Sequence, residues 1–191
     1  AYATVTGLAP TMSSIPPQVS VVIPVYNEAE NVPDLVERVS AALMRSRRSF
    51  ELICVDDGST DSTPAILTRH AAADERIRII TNRPNKGLPG ALNTGFAAAR
   101  GPLHTWTSDD NIARPHMLER LVKTLDANPD AAIAHANYSV IDGQGRIIGF
   151  QKVGPASEIL FGNRIGAAFT VVQSVTLVSM ATWTPILPSA P

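Results

Sequence analysis

The sequence predicts an α/β fold with a mostly parallel central sheet flanked by helices. Short apolar runs that are rich in β-branched residues, such as Val19–Val25, are typical of strands buried on both faces. Between these runs lie segments with apolar residues at helical spacing, for example Leu35, Val36 and Val39. Repeated strand–helix units of this kind imply parallel pairing, with helices packed on both faces of the sheet.

Six strands and four helices follow from these patterns and from the residues that bound them. Asn31 is the expected N-cap of the first helix, and Pro33 lies in its first turn. Pro115 opens the fourth helix, and Gly101-Pro102 ends the third. The predicted strands cover residues 19–25, 50–55, 77–80, 103–107, 131–139 and 146–151, and the helices begin near residues 31, 63, 88 and 115.

Composition and charge exclude several classes of protein. Sixteen basic and seventeen acidic residues give a net charge of -1, so no global field exists to attract nucleic acid or an anionic membrane. The single cysteine, Cys54, excludes an intramolecular disulfide framework and fits a reducing compartment. We therefore expect a cytoplasmic protein that recognises its partners locally, through a site.

The chain divides into three segments. Residues 1–18 contain three prolines and no basic n-region, so we expect a flexible lead-in rather than a signal peptide. Residues 19–166 carry the strand–helix units and form the expected domain. Residues 167–191 form an atypical tail, because the chain has no charged residue from position 165 onward although 17% of its residues are charged.

Three of the predicted strands end in polar clusters. The first ends in the run from Pro24 to Glu28, the second in the run from Asp56 to Asp61, and the fourth in the run from Ser108 to Asn111. Ligands of parallel sheets bind beyond the carboxyl ends of the strands, where such clusters meet. We therefore expect the three clusters to converge in one cleft.

Asp109 and Asp110 predict a metal site. Adjacent carboxylates repel each other, and gathering them in a cleft is unfavourable unless a cation compensates. Their hard oxygen atoms suit Mg²⁺ or Mn²⁺, which also bridge substrate phosphates. An Asx-turn before the helix at Pro115 is the alternative interpretation, and the two other clusters at the same edge favour the metal.

A carboxylate of the Asp56-Asp57 pair and the ring of Tyr26 are candidates for binding a nucleobase. A carboxylate accepts a hydrogen bond from the imide N–H of uracil, and the face of a tyrosine ring stacks on a base. Both candidates also have purely structural interpretations. Asp57 precedes Gly58 in what reads as a tight turn, and Tyr26 reads equally as a partly buried tyrosine at a strand end.

Five short motifs occur in a specific order. They are residues 21–28 (VVIPVYNE), 55–63 (VDDGSTDST), 85–87 (NKG), 91–95 (ALNTG) and 107–111 (TSDDN). In this order and spacing the chain resembles the family 2 glycosyltransferases, which have the GT-A fold, from Val19 to about Gly166. Each motif alone is weak, whereas the set is highly specific.

The resemblance implies a donor site for a nucleotide sugar. In it Tyr26 packs on uracil, Asp57 binds the edge of the base and Pro24 shapes the same pocket. Glu28 belongs to the same donor site, although it equally starts the following helix. Lys86 or Arg83 approaches the charge of the donor, with an ordinary solvated lysine as the alternative for Lys86.

The resemblance also implies how the metal is held. Asp110 coordinates Mg²⁺ or Mn²⁺ on the diphosphate, and Asp109 contacts the ribose or shares the metal. Many relatives have an Asp-x-Asp-Asp run where this chain has Thr107-Ser108-Asp109-Asp110, and other relatives carry the Thr or Ser form. The departure therefore does not count against metal binding.

The family mechanism is transfer with inversion from a nucleotide-diphosphate sugar to an acceptor hydroxyl. A carboxylate base deprotonates that hydroxyl, yet the sequence offers no charged residue after Arg164 to serve as the base. The opening strand and helix also resemble enzymes that charge a polyprenyl phosphate with a sugar. The acceptor is thus a glycan, a lipid or a polyprenyl phosphate, and peripheral association with the inner face of the membrane is expected.

The uncharged tail has three interpretations. It reads as a transmembrane helix, as a buried terminus, or as sequence that is out of frame. The family continues beyond this point with a paired Arg-Arg and then Gly-x-x-Asp, and a shifted frame over residues 170–172 and 180–184 can encode both. The third interpretation therefore implies a truncated or frameshifted family member, in which donor binding survives and transfer is weak.

Three other functions remain as alternatives. A nucleotidyltransferase should carry a glycine-rich loop with a basic residue after the first strand, where this chain has Tyr26, Asn27 and Glu28. A dinucleotide-binding oxidoreductase should carry a G-x-G-x-x-G run there, and this chain does not. A non-catalytic nucleotide-sugar-binding remnant is consistent with the missing base.

Overall fold

The computed structural model describes residues 16–108, 112, 114–131, 133–151 and 170–173 of the chain. Strands and helices alternate through most of this part, as the sequence predicts. The elements are β1 (Val19–Val25), α1 (Val32–Arg45), β2 (Phe50–Asp56), α2 (Thr63–Ala73), β3 (Ile77–Thr81), α3 (Gly87–Ala98), β4 (Leu103–Trp106), α4 (Met117–Ala127), β5 (Ile133–His135), β6 (Tyr138–Ile141), β7 (Ile147–Gln151) and β8 (Thr170–Gln173).

The main sheet has six strands in the order β3-β2-β1-β4-β8-β5. The pairs β1–β2, β1–β4 and β2–β3 are parallel, whereas β8 runs antiparallel to both β4 and β5. The predicted fold class, a mostly parallel central sheet flanked by helices, is therefore confirmed. Because β1, β2 and β3 run the same way, their carboxyl ends share one edge of the sheet.

The core consists of two apolar layers, one on each face of the sheet. Val21 and Ile23 of β1 face the larger layer, which includes Leu35 of α1 and Leu121 of α4. Val22, the residue between them, faces the smaller layer beneath α3. This alternation is the period of two that a strand requires. Two layers of helices thus hold β1 and β2 rigidly at the centre of the sheet.

Gly95 lets α3 lie close to the sheet. A Cβ atom on this residue would lie 2.3 Å from Cγ1 of Val22, a distance that real Cβ atoms do not show. The absent side chain therefore fixes how near the helix axis comes to β1. This close packing also fixes the distance of the amino-terminal half of α3 from the ends of β2 and β3.

The structure differs from the sequence-based expectations at residues 131–139 and at Asn31, and it adds the strand β8, which the sequence does not predict. The single strand expected over residues 131–139 is two strands that belong to different sheets: β5 joins the main sheet, and β6 pairs with β7 in a separate two-stranded sheet. Asn31 occupies the N-cap position of α1, but its side chain makes no capping bond. Its amide instead donates to Oε2 of Glu28 at 2.7 Å.

A buried acidic residue, Glu51, lies near the amino end of β2. Its Oε1 accepts hydrogen bonds from Oγ of Ser20 and the backbone N–H of Arg100, both at 2.7 Å. Its Oε2 accepts from the guanidinium groups of Arg78, at 2.7 Å, and Arg100, at 2.9 Å. We call these four residues the Glu51 network. It joins β1, β2, β3 and the end of α3 at the edge opposite the polar clusters.

Among the residues that the structure describes, no helix is both long and apolar enough to cross a membrane. Most of the uncharged tail lies outside the described residues. Thr170–Gln173, within that tail, forms β8 and lies between β4 and β5 in the main sheet.

Candidate functional site

Three adjacent strands each end in a polar or aromatic residue at the same edge. Val25 of β1 pairs with Asp56 of β2, and Asp56 pairs with Thr81 of β3. The next residue on each strand is therefore Tyr26, Asp57 or Asn82, respectively. The backbone continues this pairing, since Asp57 donates its N–H to the carbonyl of Val25 and Asn82 donates its N–H to the carbonyl of Asp56, both at 2.9 Å.

Tyr26 is half exposed, at 50% of its full surface, so its ring remains accessible. The next residue, Asn27, holds a left-handed backbone with φ 57°. Its N–H donates to Oγ of Ser59 at 2.9 Å, and its side-chain oxygen accepts from the N–H of Thr60 at 2.8 Å. These bonds tie the turn after β1 to the turn after β2, so that Tyr26 keeps a fixed position beside Asp57.

The turn after β2 depends on a glycine. Gly58 has φ +90°, a conformation that L side chains rarely adopt, and a Cβ there would lie 3.3 Å from the backbone N of Asn85. Asp56, which is fully buried, accepts the N–H of Ser59 at 2.9 Å and closes the turn. The turn that the sequence predicts around Gly58 is thus present, and it leaves the side chain of Asp57 largely shielded from solvent.

Asp57 is only 4% exposed, and its carboxylate is held by two neighbours. Oδ1 accepts from Nδ2 of Asn82 at 2.7 Å. The backbone N–H of Lys86 lies 3.0 Å from Oδ1 and 3.1 Å from Oδ2, so the two oxygens share it. Among the described residues Oδ2 therefore receives only part of one hydrogen bond, and it keeps capacity to accept another.

The other predicted donor-site residues lie around this edge in different environments. Pro24 is buried in β1 opposite Val55, one residue from the edge of the sheet. Glu28 is partly exposed and donates its N–H to Oγ1 of Thr63 at 2.9 Å, at the start of α2. Lys86 is exposed, and its Nζ donates to Oγ1 of Thr94 at 3.3 Å.

Sequence reasoning missed two residues that complete the surroundings of Asp57. Asn82 is 3% exposed and bridges Asp57 and Thr94. Asn82 lies in the polar run from Thr81 to Lys86 and Thr94 in the ALNTG motif, but nothing in the sequence shows that their side chains meet beside Asp57. Arg83, only weakly implicated by the resemblance, lies nearby, with Nη2 at 3.4 Å from Oδ2 of Asp56.

The predicted metal ligands Asp109 and Asp110 lie outside the described residues. The last described residue before them, Ser108, follows β4, and Thr107 donates its N–H to the carbonyl of Val22 at 3.1 Å. The chain thus reaches Asp109 from the carboxyl end of β4, next to β1. Within the described residues no group of three or more His, Cys, Asp or Glu side chains could hold a metal ion.

A separate cavity lies between α1, β4 and α4. It has a volume of about 80 Å³ and is lined mainly by apolar side chains, among them Leu35, Val39, Met117 and Leu118. Tyr26, Asp57 and Lys86 do not line it. The cavity lies against the larger core layer, and the geometry around Asp57 defines the candidate site instead.

The fold and the comparisons with known proteins define the class of protein, the glycosyltransferases built on the GT-A fold. The chain belongs to glycosyltransferase family 2, because residues 20–172 match the family model described as Glycosyl transferase family 2. The predicted family is confirmed.

Two curated relatives of the chain are bacterial proteins. It is 36% identical over 130 residues to the succinoglycan biosynthesis protein ExoO of Rhizobium meliloti, covering 68% of this chain and 36% of the relative. It is 42% identical over 115 residues to the undecaprenyl-phosphate 4-deoxy-4-formamido-L-arabinose transferase of Photorhabdus laumondii, covering 59% of this chain and 35% of the relative. The chain therefore spans little more than a third of the length of these relatives.

Solved structures show the same fold. The mannosyltransferase PcManGT from Pyrobaculum calidifontis, in complex with GDP-Man and Mn²⁺, is 27% identical with a TM-score of 0.55, over 66% of this chain and 36% of that one. TarS 1–349 of S. aureus in complex with UDP-GlcNAc has a TM-score of 0.64 at 18% identity, over 85% of this chain and 47% of that one. The second likeness concerns the fold alone.

Proposed function

We propose that the chain is the donor-binding part of a glycosyltransferase. It binds a nucleotide-diphosphate sugar, a UDP-sugar in the first instance, and the enzyme transfers the sugar to an acceptor hydroxyl with inversion and with the help of a metal ion. The observation that carries this proposal is the succession of Tyr26, Asp57 and Asn82 at the ends of three adjacent strands. Membership of glycosyltransferase family 2 supports it.

In the proposed site the nucleobase of the donor lies between Tyr26 and Asp57. The accessible ring of Tyr26 stacks on the base, and Oδ2 of Asp57 accepts the ring N–H of uracil. Pro24 supports this pocket from within β1, and Glu28 lies at its rim. Lys86 directs a positive charge toward the phosphates.

Asp109 and Asp110 are the proposed metal ligands. Adjacent carboxylates offer the hard oxygen atoms that Mg²⁺ and Mn²⁺ prefer, so the donor chemistry fits either ion. The ion, when bound, supplies positive charge that stabilises the leaving diphosphate. The presence of Mn²⁺ with GDP-Man in the PcManGT structure supports a metal-dependent site in this chain.

Two acceptors are proposed, and they differ in what they demand of the protein. An acceptor hydroxyl needs a base to remove its proton, whereas the oxygen of a polyprenyl phosphate is already ionised at neutral pH. Likeness to the undecaprenyl-phosphate transferase of Photorhabdus laumondii supports the phosphate acceptor and work at the inner face of the membrane. Likeness to ExoO supports a glycan acceptor.

Calorimetry with UDP tests the donor site. We expect UDP to bind in the presence of Mn²⁺ and to lose most of its affinity with EDTA or in Asp110→Ala. Asp57→Asn should weaken UDP binding about tenfold, because one oxygen that accepts hydrogen bonds becomes a donor. Asp34→Asn, on the exposed surface of α1, serves as the matched control. Absence of UDP, GDP and dTDP binding by the unaltered chain would overturn the proposal.

Transfer of radiolabel from UDP-sugars to polyprenyl phosphate or to a glycan then distinguishes the two acceptors. Metal-dependent UDP binding without transfer to either acceptor would favour the remaining candidate, a nucleotide-sugar-binding module that lacks the catalytic base. We assign the role of catalytic base to none of the described residues.

A further inference from the structure

Asp57 and three residues around it form a closed ring of hydrogen bonds, which we call the four-residue ring. Asp57 accepts from Nδ2 of Asn82 at 2.7 Å, and Oδ1 of Asn82 accepts from Oγ1 of Thr94 at 3.1 Å. Oγ1 of Thr94 accepts from Nζ of Lys86 at 3.3 Å. The backbone N–H of Lys86 closes the ring on the carboxylate of Asp57 at 3.0 Å. The ring joins the end of β2, the end of β3 and the first two turns of α3.

The direction of each hydrogen bond in the ring follows from the chemistry of its members. An ionised carboxylate only accepts and an ammonium only donates. Asn82 must therefore present its NH₂ group to Asp57 and its oxygen to Thr94. A reversed amide would set its oxygen against the carboxylate of Asp57 at a position where both side chains are more than nine-tenths buried.

Thr94 supports the orientation that Asp57 imposes on the amide of Asn82. Its single hydroxyl hydrogen has two acceptors within reach, Oδ1 of Asn82 with the two oxygens 3.1 Å apart and the carbonyl of Gly90 with the two oxygens 2.9 Å apart. Nζ of Lys86 donates to a lone pair of the same oxygen, and the ring is closed when the hydroxyl hydrogen points to Asn82. Without the hydroxyl, Oδ1 of Asn82 loses this donor, and only the bond to Asp57 holds the amide.

The ring leaves one atom of Asp57 for a ligand. Oδ1 accepts from Asn82 and from the N–H of Lys86, while Oδ2 shares only the latter bond, at 3.1 Å. The remaining lone pairs of Oδ2 accept and cannot donate. A base with a ring N–H next to a carbonyl, such as uracil or guanine, suits this atom, whereas cytosine presents a ring nitrogen that also accepts.

We propose that Asn82 and Thr94 are positioning residues that hold Oδ1 of Asp57, leave Oδ2 to accept from the nucleobase and thereby set the nucleobase preference of the site. The inference rests on the proposed function, since it assumes that Asp57 faces the base. Neither residue touches the ligand. Both act through the carboxylate, and Thr94 also fixes the position of the Lys86 ammonium.

The ratio of CDP to UDP dissociation constants, measured by calorimetry with Mn²⁺ on the full chain, tests the inference. We expect the unaltered chain to bind UDP about tenfold or more tightly than CDP, because an unpaired buried acceptor is unfavourable. Thr94→Val should reduce this ratio several-fold, and Thr94→Ser, which keeps the hydroxyl, should restore it. Asn82→Asp should bring the ratio close to one, since two buried carboxylates share a proton and either can then donate.

Thr68→Val is the matched control for the loss of a helical hydroxyl. Oγ1 of Thr68 donates to the carbonyl of Pro64 at 2.8 Å in α2, and the carbonyl of Gly90 lies at the equivalent place beside Thr94 in α3, but Thr68 lies away from the site. We expect this variant to keep the ratio of the unaltered chain. Thermal unfolding checks that each variant is folded. If Thr94→Val is unfolded, the ratio measured for Asn82→Asp tests the inference.

The outcomes separate this inference from the proposed function. If the unaltered chain binds UDP more tightly than CDP and both Thr94→Val and Asn82→Asp leave the ratio unchanged, the positioning role is wrong and the proposed function stands. Equal weakening of UDP and CDP would likewise assign the two residues a purely structural role. If the unaltered chain binds no nucleoside diphosphate, the proposed function and this inference are both wrong.

Discussion

Gly58 permits the backbone turn that places Asp57 and Ser59 beyond the carboxyl end of β2. Its φ of +90° lies in the region that favours glycine, and the neighbouring backbone of Asn85 leaves little room for a side chain. The turn therefore constrains this position twice, through the backbone angle and through packing.

We predict that Gly58→Ala lowers the free energy of unfolding by about 1–3 kcal/mol, because alanine must either adopt a strained backbone or displace Asn85. Urea unfolding monitored by circular dichroism measures the loss. Gly143→Ala is the matched control, since a Cβ at Gly143 meets nothing within 4 Å. Equal stability of the two variants would contradict the role given to the turn.

The sequence identifies some candidate site residues and not others, for reasons visible in the residues themselves. Tyr26 and Asp57 directly follow apolar runs, so a parallel sheet must bring them to the same edge, and the structure does so. Asn82 and Thr94 are 12 residues apart in the chain and meet only because α3 packs back over β1 and β2. Their roles, and those of Asp109 and Asp110, stay predictions.

The Glu51 network connects elements rather than single residues. Burial by itself would raise the pKa of Glu51, but hydrogen bonds from Arg78, Ser20 and Arg100 outweigh it and lower the pKa below its usual value. The carboxylate is 1% exposed, whereas the side chains of Arg78 and Arg100 are 33% and 57% exposed. The two arginines therefore recover part of their hydration if the carboxylate is lost.

We predict that Glu51→Gln destabilises the fold by about 1–3 kcal/mol near neutral pH, less than for a fully buried pair because the arginines are partly exposed. The folded pKa of Glu51 is lowered, so its contribution is complete above the unfolded pKa of about 4.3 and is lost as the pH falls through the folded value. Urea unfolding at several pH values should show the two proteins converging below about pH 4.

Asp34→Asn is the control for this experiment. It removes an exposed ion pair with Arg38, whose two side chains are 64% and 52% exposed, respectively. Such a pair contributes about 0–1 kcal/mol, so we expect a small change in stability. A pH-independent gap between Glu51→Gln and the unaltered chain from pH 3 to 7 would contradict the assigned ionisation.

Most elements could be predicted, and the exceptions have a common cause. The bounds of β1 agree with the expected strand because its run of buried apolar residues is uninterrupted. The break at residues 136–137 and the strand status of Thr170–Gln173 depend on which strands they meet in the sheet. Local patterns carry no information about those distant partners.

The molecule as a whole should respond to ligand binding by mass action. At UDP concentrations about 100 times the dissociation constant, binding adds about 2.7 kcal/mol to the free energy of unfolding. For a domain of this size, we predict a rise in Tm of about 5–10 °C with UDP and Mn²⁺ together. Differential scanning fluorimetry measures it, with EDTA as the control. The same rise in the presence of EDTA would contradict the metal requirement.

The Glu51 network and the four-residue ring lie at opposite ends of β2, β3 and α3. From Glu51 to Asp57 the strand advances six residues, or about 20 Å at 3.3 Å per residue. Substitutions this far apart usually have additive effects on stability. We therefore expect that residues of the four-residue ring can be exchanged, in a gene library or during evolution, without changing the stability that the Glu51 network contributes at the opposite rim.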